Sequence, residues 1–354
     1  MTTSKTISRQ DLAALVADLL AAGMEVIGPA RLGEGTESLG YRRISGAGEL
    51  QFDRLPVKSL KEVCLPPTEP LLHFTQMKAG VEIDEIPARF PGRVVLGARP
   101  CDAAGLAILD KVMNWDYRDE PWNGRREATT IVTVACTGED GSCFCTAAGS
   151  GPDSVTGSDI LLTPAGGGYH ADILTDKGEA LVGRNQARFA DGEALLEGAL
   201  RFREEARARV AGNLRADLPA LKEWLATAFD EGCWEEYGLR CHGCGACAFV
   251  CPTCHCFDIV DEMESPDRGT RRRNWDTCQT GKFTVHASGH NPRVDQAARI
   301  RQRVMHKFYI YPSRFGDTLC TGCGRCARAC PAGMDLPQIL REIGERAAVQ
   351  GGAR

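Results

Sequence analysis

No stretch of the 354-residue chain approaches the roughly 18 consecutive apolar residues that a membrane-crossing helix needs, so no membrane insertion is expected. Aromatic residues are sparse at 6%, and there are only seven histidines. There is no G-x-x-x-x-G-K-[ST] phosphate loop and no strand–GxGxxG–helix unit, and Gly166, Gly167 and Gly168 lie outside any phosphate-loop context. No flavin or nicotinamide site is therefore expected in this chain. No acid–base or nucleophile constellation stands out either. His242 and His255 lie among cysteines, where a histidine more often donates a hydrogen bond to sulfur or sits at the surface. Neither sign of charge dominates: the net charge is −5, which argues against nucleic acid as a partner.

What remains is an ordinary globular composition, 43% hydrophobic and 25% charged, with length for about two domains. The amino terminus has no long apolar core and no small-residue cleavage site. It reads as a helix start, with Ser8 and Asp11 forming a capping box and Leu12, Leu15, Val16 and Leu19 on one face. A cytoplasmic location is expected.

Against this background stand 17 cysteines. Disulfides are disfavoured in the cytosol, so metal ligation is the expected reason for them. Residues 241–252 read CHGCGACAFVCP and residues 320–331 read CTGCGRCARACP, the same C-x2-C-x2-C-x3-C-P spacing twice. This is the two-cluster bacterial ferredoxin pattern. Three cysteines at three-residue intervals lie on a tight loop and hold three corners of an iron–sulfur cube. The fourth starts a short helix and ligates the other cube. The expected ligands are Cys241, Cys244, Cys247 and Cys330 for one [4Fe–4S] cluster, and Cys251, Cys320, Cys323 and Cys326 for the second. Two structural zinc sites are the competing reading, but zinc ligands usually come as separated C-x2-C pairs.

A further quartet, Cys101, Cys136, Cys143 and Cys145, lies in RPCD and ACTGEDGSCFC. Cys101 sits where a strand hands over to a helix, a position that favours an anionic sulfur. If the strands before Cys101 and Cys136 are neighbours in a parallel sheet, all four sulfurs meet at its carboxyl edge. A third cluster is expected there, although spacing alone does not separate it from a zinc ion. Cys64 reads as an isolated core cysteine. Cys254, Cys256 and Cys278 would need Cys233 to complete a fourth set, and buried thiols shaping the loop are the simpler reading.

The coarse fold is an α/β domain over 1–230 followed by an α+β, ferredoxin-like two-cluster domain over 231–354, with a long insert at about 257–319. Val94–Leu96 and Thr130–Val134 read as buried strands, with a helix over about 103–113 capped by Asp102. Segments 137–158 and 163–168 read as loops, Tyr169–Leu181 as a hairpin around Lys177–Gly178, and 192–212 and 217–229 as helices. Between Arg268 and Lys307 there are ten basic and two acidic residues. That excess either offsets cluster charge or forms a solvated face.

Several stretches together resemble the iron–sulfur subunits that accompany flavin subunits in cytosolic sulfhydrogenase (the beta subunit of that NiFe hydrogenase) and in anaerobic sulfite reductase. They are GARPCDAAGLAILDKV, the CFC loop followed by GSGP, WEEYGLRCHGCGACAFVCPTCHCFDIVD, RRRNWDTC and GHNPRVDQAARIRQRVMHKF, between about residues 94 and 335. The resemblance accounts for the long step from Cys251 to Cys320. It implies a subunit that relays single electrons between a flavin, NAD(P)H-linked subunit and a catalytic subunit, without turnover of its own. The alternative is a stand-alone iron–sulfur enzyme with a substrate-accessible cluster.

Overall fold

The computed structural model describes residues 3–87, 89–214 and 216–351. Its twelve strands are β1 Thr3–Ser8, β2 Glu25–Arg31, β3 Leu39–Arg43, β4 Thr68–Met77, β5 Gly80–Glu85, β6 Arg93–Ala98, β7 Thr129–Val134, β8 Ile160–Ala165, β9 Gly168–Ile173, β10 Ala190–Asp191, β11 Phe257–Met263 and β12 Arg268–Trp275. Eight of them form one sheet in the order β10-β1-β9-β8-β7-β6-β2-β3. Its centre, β2-β6-β7-β8, is parallel, and antiparallel strands close both edges.

The central strands are continuous apolar runs because both faces are covered. Alternate residues of β6 enter different cores. Val94 and Leu96 pack with Leu15, Val16 and Val132, whereas Val95 packs with Leu106, Leu109 and Ile131. The helix Arg9–Ala21 lies on the first face through Leu12, Leu15, Val16 and Leu19. The Ser8 hydroxyl caps it, accepting from Asp11 N at 3.0 Å and donating to the Asp11 carboxylate at 2.6 Å. The expected amino-terminal helix and its cap are thus present.

Two local expectations are corrected. Tyr169–Leu181 is not one hairpin: β9 pairs back onto β8, and Lys177 and Gly178 lie in the helix Asp176–Arg184, capped by Thr175. The turn is at Gly166 and Gly167, with φ of +53° and +82°, in a segment that reads as a loop. Two successive positive φ values are what a tight two-residue hairpin demands and what glycine adopts cheaply. Likewise the helix after β6 runs Pro100–Val112, with Arg99 at its cap and Pro100 in its first turn. Asp102 is not the cap; it is buried inside that turn. The helices expected over 192–212 and 217–229 are Glu193–Ala211 and Leu218–Leu225.

A second sheet, β11-β12-β4-β5, is antiparallel and joins residues 68–85 to residues 257–275. No strands are expected there from the sequence. The remaining helices, among them Cys233–Arg240, Gln296–Met305 and Leu336–Gly351, surround a core of Trp224, Trp234, Tyr237, Val304, Phe308, Leu340 and Ile343. A π-helical turn, His306–Ile310, continues Gln296–Met305. Among the described residues no helix is long and apolar enough to cross a membrane.

Candidate iron–sulfur sites

The two cysteine motifs fold alike. Gly243 and Gly245 in the first, and Gly322 and Gly324 in the second, all have φ between +64° and +75°. This left-handed backbone curls each loop, and a four-residue helix follows, Ala246–Phe249 or Arg325–Arg328. The curl aims backbone N–H groups at sulfur. Gly243 N lies 3.5 Å from Cys241 Sγ, and Gly322 N lies 3.5 Å from Cys320 Sγ. After the fourth cysteines, Thr253 N lies 3.4 Å from Cys251 Sγ and Met334 N lies 3.3 Å from Cys330 Sγ.

The loops enclose two hollows, and each borrows a wall from the other motif. Cys241, Cys244 and Cys247 line one hollow together with Cys330. Cys320, Cys323 and Cys326 line the other together with Cys251. Among the described residues, no three His, Cys, Asp or Glu side chains converge closely enough to grip a single ion. The sulfurs stand around hollows instead.

At the carboxyl edge of the large sheet, β6 and β7 are parallel neighbours, which meets the condition set for the third quartet. Cys136, Cys143 and Cys145 are all buried there, and burial raises the pKa of each. Burial pushes Cys145 up to about 12, reinforced by the other two sulfurs, and pushes Cys136 up to about 11. Their loop is pressed onto the second motif. Phe144 N donates to Gly322 O at 2.7 Å, and a Cβ on Gly322 would lie 2.5 Å from the Phe144 carbonyl. Cys101 takes a different direction: its side chain is hydrogen-bonded to Cys323. The reason lies in the early helix start. Asp102, one residue on, accepts from Tyr41 Oη at 2.7 Å, Leu60 N at 3.3 Å and Arg325 at 2.6 Å. The fully buried Asp102–Arg325 pair ties this helix to the second motif and turns Cys101 toward it.

The profile of the 4Fe-4S dicluster domain family matches residues 240–334. Sulfhydrogenase 2 subunit beta of Pyrococcus furiosus is 34% identical over 253 residues, 71% of this chain and 74% of that protein. The chain belongs to the sulfhydrogenase beta-subunit family. It is an iron–sulfur electron-transfer subunit.

For an iron–sulfur subunit of this family, the decisive electrostatic feature is a pair of buried cations, Arg303 and Lys307, one helical turn apart. Arg303 lines both hollows. Burial works against its charge, but Cys247, Cys326, Cys254 and Cys251 hold its pKa well above the usual range. Its Nε and one Nη are buried with no hydrogen-bond partner. Unpaired buried donors are costly, and sulfide or thiolate acceptors in the hollows would satisfy them. The residues present therefore fit an anionic sulfur-rich group. Lys307 Nζ lies 3.4 Å from Cys251 Sγ, 3.1 Å from Thr253 Oγ1 and 2.9 Å from Leu319 O. A hydrogen bond from Cys254, and then the Lys307 charge, hold Cys251 well below the usual thiol range.

The basic excess at 268–307 thus divides. Arg303 and Lys307 face the cysteines, Arg273 is buried against Glu69 and Asp119, and Arg271 and Arg272 pair with Asp261 and Glu262 at the surface. Composition could not separate these roles, because they depend on which face of which element each residue occupies.

The other cysteines are now placed. Cys254 is hydrogen-bonded to Cys251, and Cys256 to Cys278. Cys233 packs in the helical core with Trp234 and Tyr237, beside Arg346, so it does not complete a fourth set. Cys64 is a fully buried core residue whose thiol is pushed up to about 11 by burial.

Proposed function

We propose that the chain carries a row of three [4Fe–4S] clusters and passes single electrons between a flavin, NAD(P)H-linked subunit and a catalytic subunit of hydrogenase or sulfite-reductase type. The crosswise lining of the two hollows is the observation that carries this reading. Cys241, Cys244, Cys247 and Cys330 would hold the first cluster, and Cys251, Cys320, Cys323 and Cys326 the second. Each cube, when bound, supplies a one-electron couple whose potential depends on hydrogen bonds to sulfur, burial and local charge. The residues supply the rest. Arg303, between the hollows, and Lys307, at the second, offset the negative charge gained on reduction. The paired N–H···S contacts of the two loops act in the same direction.

The third cluster would use Cys136, Cys143 and Cys145, with Cys101, at the same sheet edge, proposed as its fourth ligand once its side chain exchanges Cys323 for the cluster. The contact between Phe144 and Gly322 puts that loop next to the second hollow. The order third, second, first supports a wire. Its outer end is the first hollow, where Cys244 is the one exposed cysteine among the described residues. Partner exchange is expected at that end. The absence of a recognisable nucleotide motif agrees with a flavin on another subunit.

Iron and acid-labile sulfide on anaerobically purified protein test the reading. About twelve of each per chain are expected for three cubes; zinc in place of iron would refute it. Cys330→Ser should abolish the EPR signal of the cluster held by Cys241, Cys244 and Cys247 and keep the other. Loss of the opposite signal would disprove the crosswise assignment. Cys101→Ser should remove about four irons. Retention of all the iron would take Cys101 out of the ligand set.

A further inference from the structure

Beyond the two hollows and the sheet-edge cysteines lies a sulfur pair that the relay does not use. Cys256 immediately precedes β11, and Cys278 lies three residues past the end of β12. The antiparallel ladder runs one step beyond the strands. Phe257 is opposite Trp275, and Asp276 N donates to Cys256 O at 3.0 Å. A tight turn then fixes Cys278. Thr277 N donates to Asp276 Oδ1 at 2.6 Å, and Gln279 N donates to Thr277 Oγ1 at 3.1 Å. The Cys256 and Cys278 side chains end hydrogen-bonded to each other, and both residues are half-buried rather than sealed in the core.

The pair is also linked to the first hollow. Gln279, itself buried, donates from Nε2 to Cys278 Sγ at 3.3 Å and to Arg299 O at 2.9 Å. Its Oε1 accepts from Gln296 Nε2 at 3.4 Å, and the same Nε2 lies 3.1 Å from Cys241 Sγ. A continuous chain Cys278–Gln279–Gln296–Cys241 results. We infer that Cys256 and Cys278 form a dithiol/disulfide couple, a two-electron redox site beside the first hollow, whose state is passed to Cys241 through Gln279 and Gln296.

The co-reactant class is a low-molecular-weight disulfide in the oxidising direction and a dithiol in the reducing one. The Cys278 thiolate, stabilised by the Cys256 thiol and the Gln279 amide, attacks the small disulfide and expels one thiolate. Cys256, losing its proton, then attacks the Cys278 sulfur of the mixed disulfide and expels the second. The protons given up by Cys278 and Cys256 end on the two expelled thiolates, so two protein thiols and one disulfide become one protein disulfide and two small thiols, and atoms and electrons balance. Arg303 and Lys307 lie close enough to favour the thiolate. Oxidation removes the negative acceptor at Cys278, so the Gln279 amide loses its partner and the chain to Cys241 rearranges. Only this last link rests on the proposed cluster at Cys241.

The test uses the full-length, iron-loaded protein under anaerobic conditions. It is equilibrated with mixtures of reduced and oxidised dithiothreitol, quenched with N-ethylmaleimide and digested with trypsin. Arg273 and Lys282 isolate Cys278 as the only cysteine of peptide 274–282, and Arg240 and Arg268 bound the peptide that holds Cys256. As the oxidised fraction rises, peptide 274–282 should pass from alkylated to cross-linked with peptide 241–268 while iron stays constant. In Cys256→Ser it should be alkylated at every ratio. Alkylation at every ratio in the wild type would overturn the couple. So would a cross-link surviving in Cys256→Ser, or a Cys278 that reacts only after acid releases a metal. The EPR spectrum of the first cluster should change with the disulfide state, and Gln279→Leu should abolish that change while keeping the cross-link. An insensitive wild-type spectrum would overturn the link to Cys241. A chain with little iron would count against the electron-transfer reading and leave the alkylation result standing.

Discussion

Arg303 is where charge, burial and position meet. It is one of ten basic residues in a forty-residue stretch, yet it is buried between both hollows with two unpaired N–H donors. A hydrogen bond involving a charged group is worth about 1.5–3 kcal/mol. For a one-electron couple that corresponds to roughly 60–130 mV. Arg303→Met should therefore lower the midpoint potential of both proposed ferredoxin-type clusters by an amount in that range, read by EPR-monitored redox titration. Unchanged potentials would remove Arg303 from the tuning of the wire. Arg301, two residues away, instead sits over the Phe229 ring and donates to Phe229 O at 3.0 Å, so the same substitution there should leave both potentials in place.

At the scale of elements, the contact between the CFC loop and the second motif depends on one glycine. Gly322 has φ of +64°, and a Cβ there would lie 2.5–2.6 Å from the Phe144 carbonyl and Cys145 Cα. The left-handed backbone alone costs a non-glycine residue about 1–2 kcal/mol. The clash adds to this, because both neighbours are backbone. Gly322→Ala should lower the melting temperature and deplete iron from the proposed second and third sites together. A variant with wild-type melting and iron content would show that the two loops are not held in contact.

Across the molecule, the small sheet joins segments almost two hundred residues apart, and a buried ionic network locks it to the α/β unit. Arg273 of β12 pairs with Glu69 of β4 and with Asp119, which caps the helix Glu120–Glu127. Arg125 of that helix meets the other Glu69 oxygen at 2.6 Å. Removing one partner of a buried pair typically costs about 3–5 kcal/mol; here Asp119 loses its cation while Glu69 keeps Arg125. Arg273→Met should destabilise the chain by about that much in denaturant unfolding. A loss below about 1 kcal/mol, the range of surface pairs, would mean that the network does not lock the sheet.

Much was legible in the residues themselves. Repeated C-x2-C-x2-C-x3-C-P spacing identified the two motifs because a cube needs three thiolates on one tight loop, a local constraint written in local sequence. Ser8 and Asp11 announced their helix for the same reason, since a cap is made by neighbours in the chain. Val94–Leu96 announced a buried strand because both faces had to be apolar. Tertiary structure decided what depends on residues far apart. Glycines 166 and 167 proved to be a hairpin turn only once β8 and β9 paired, and Asp102 was drawn from a cap into an ion pair with Arg325, 223 residues away. The same pair turned Cys101 toward Cys323. Which of ten basic residues would face sulfur, and which two surplus thiols would meet, followed from how β4, β12 and the helix Gln296–Met305 pack. Spacing specifies what one loop can hold. Only the packing of distant elements specifies what the loop is held against.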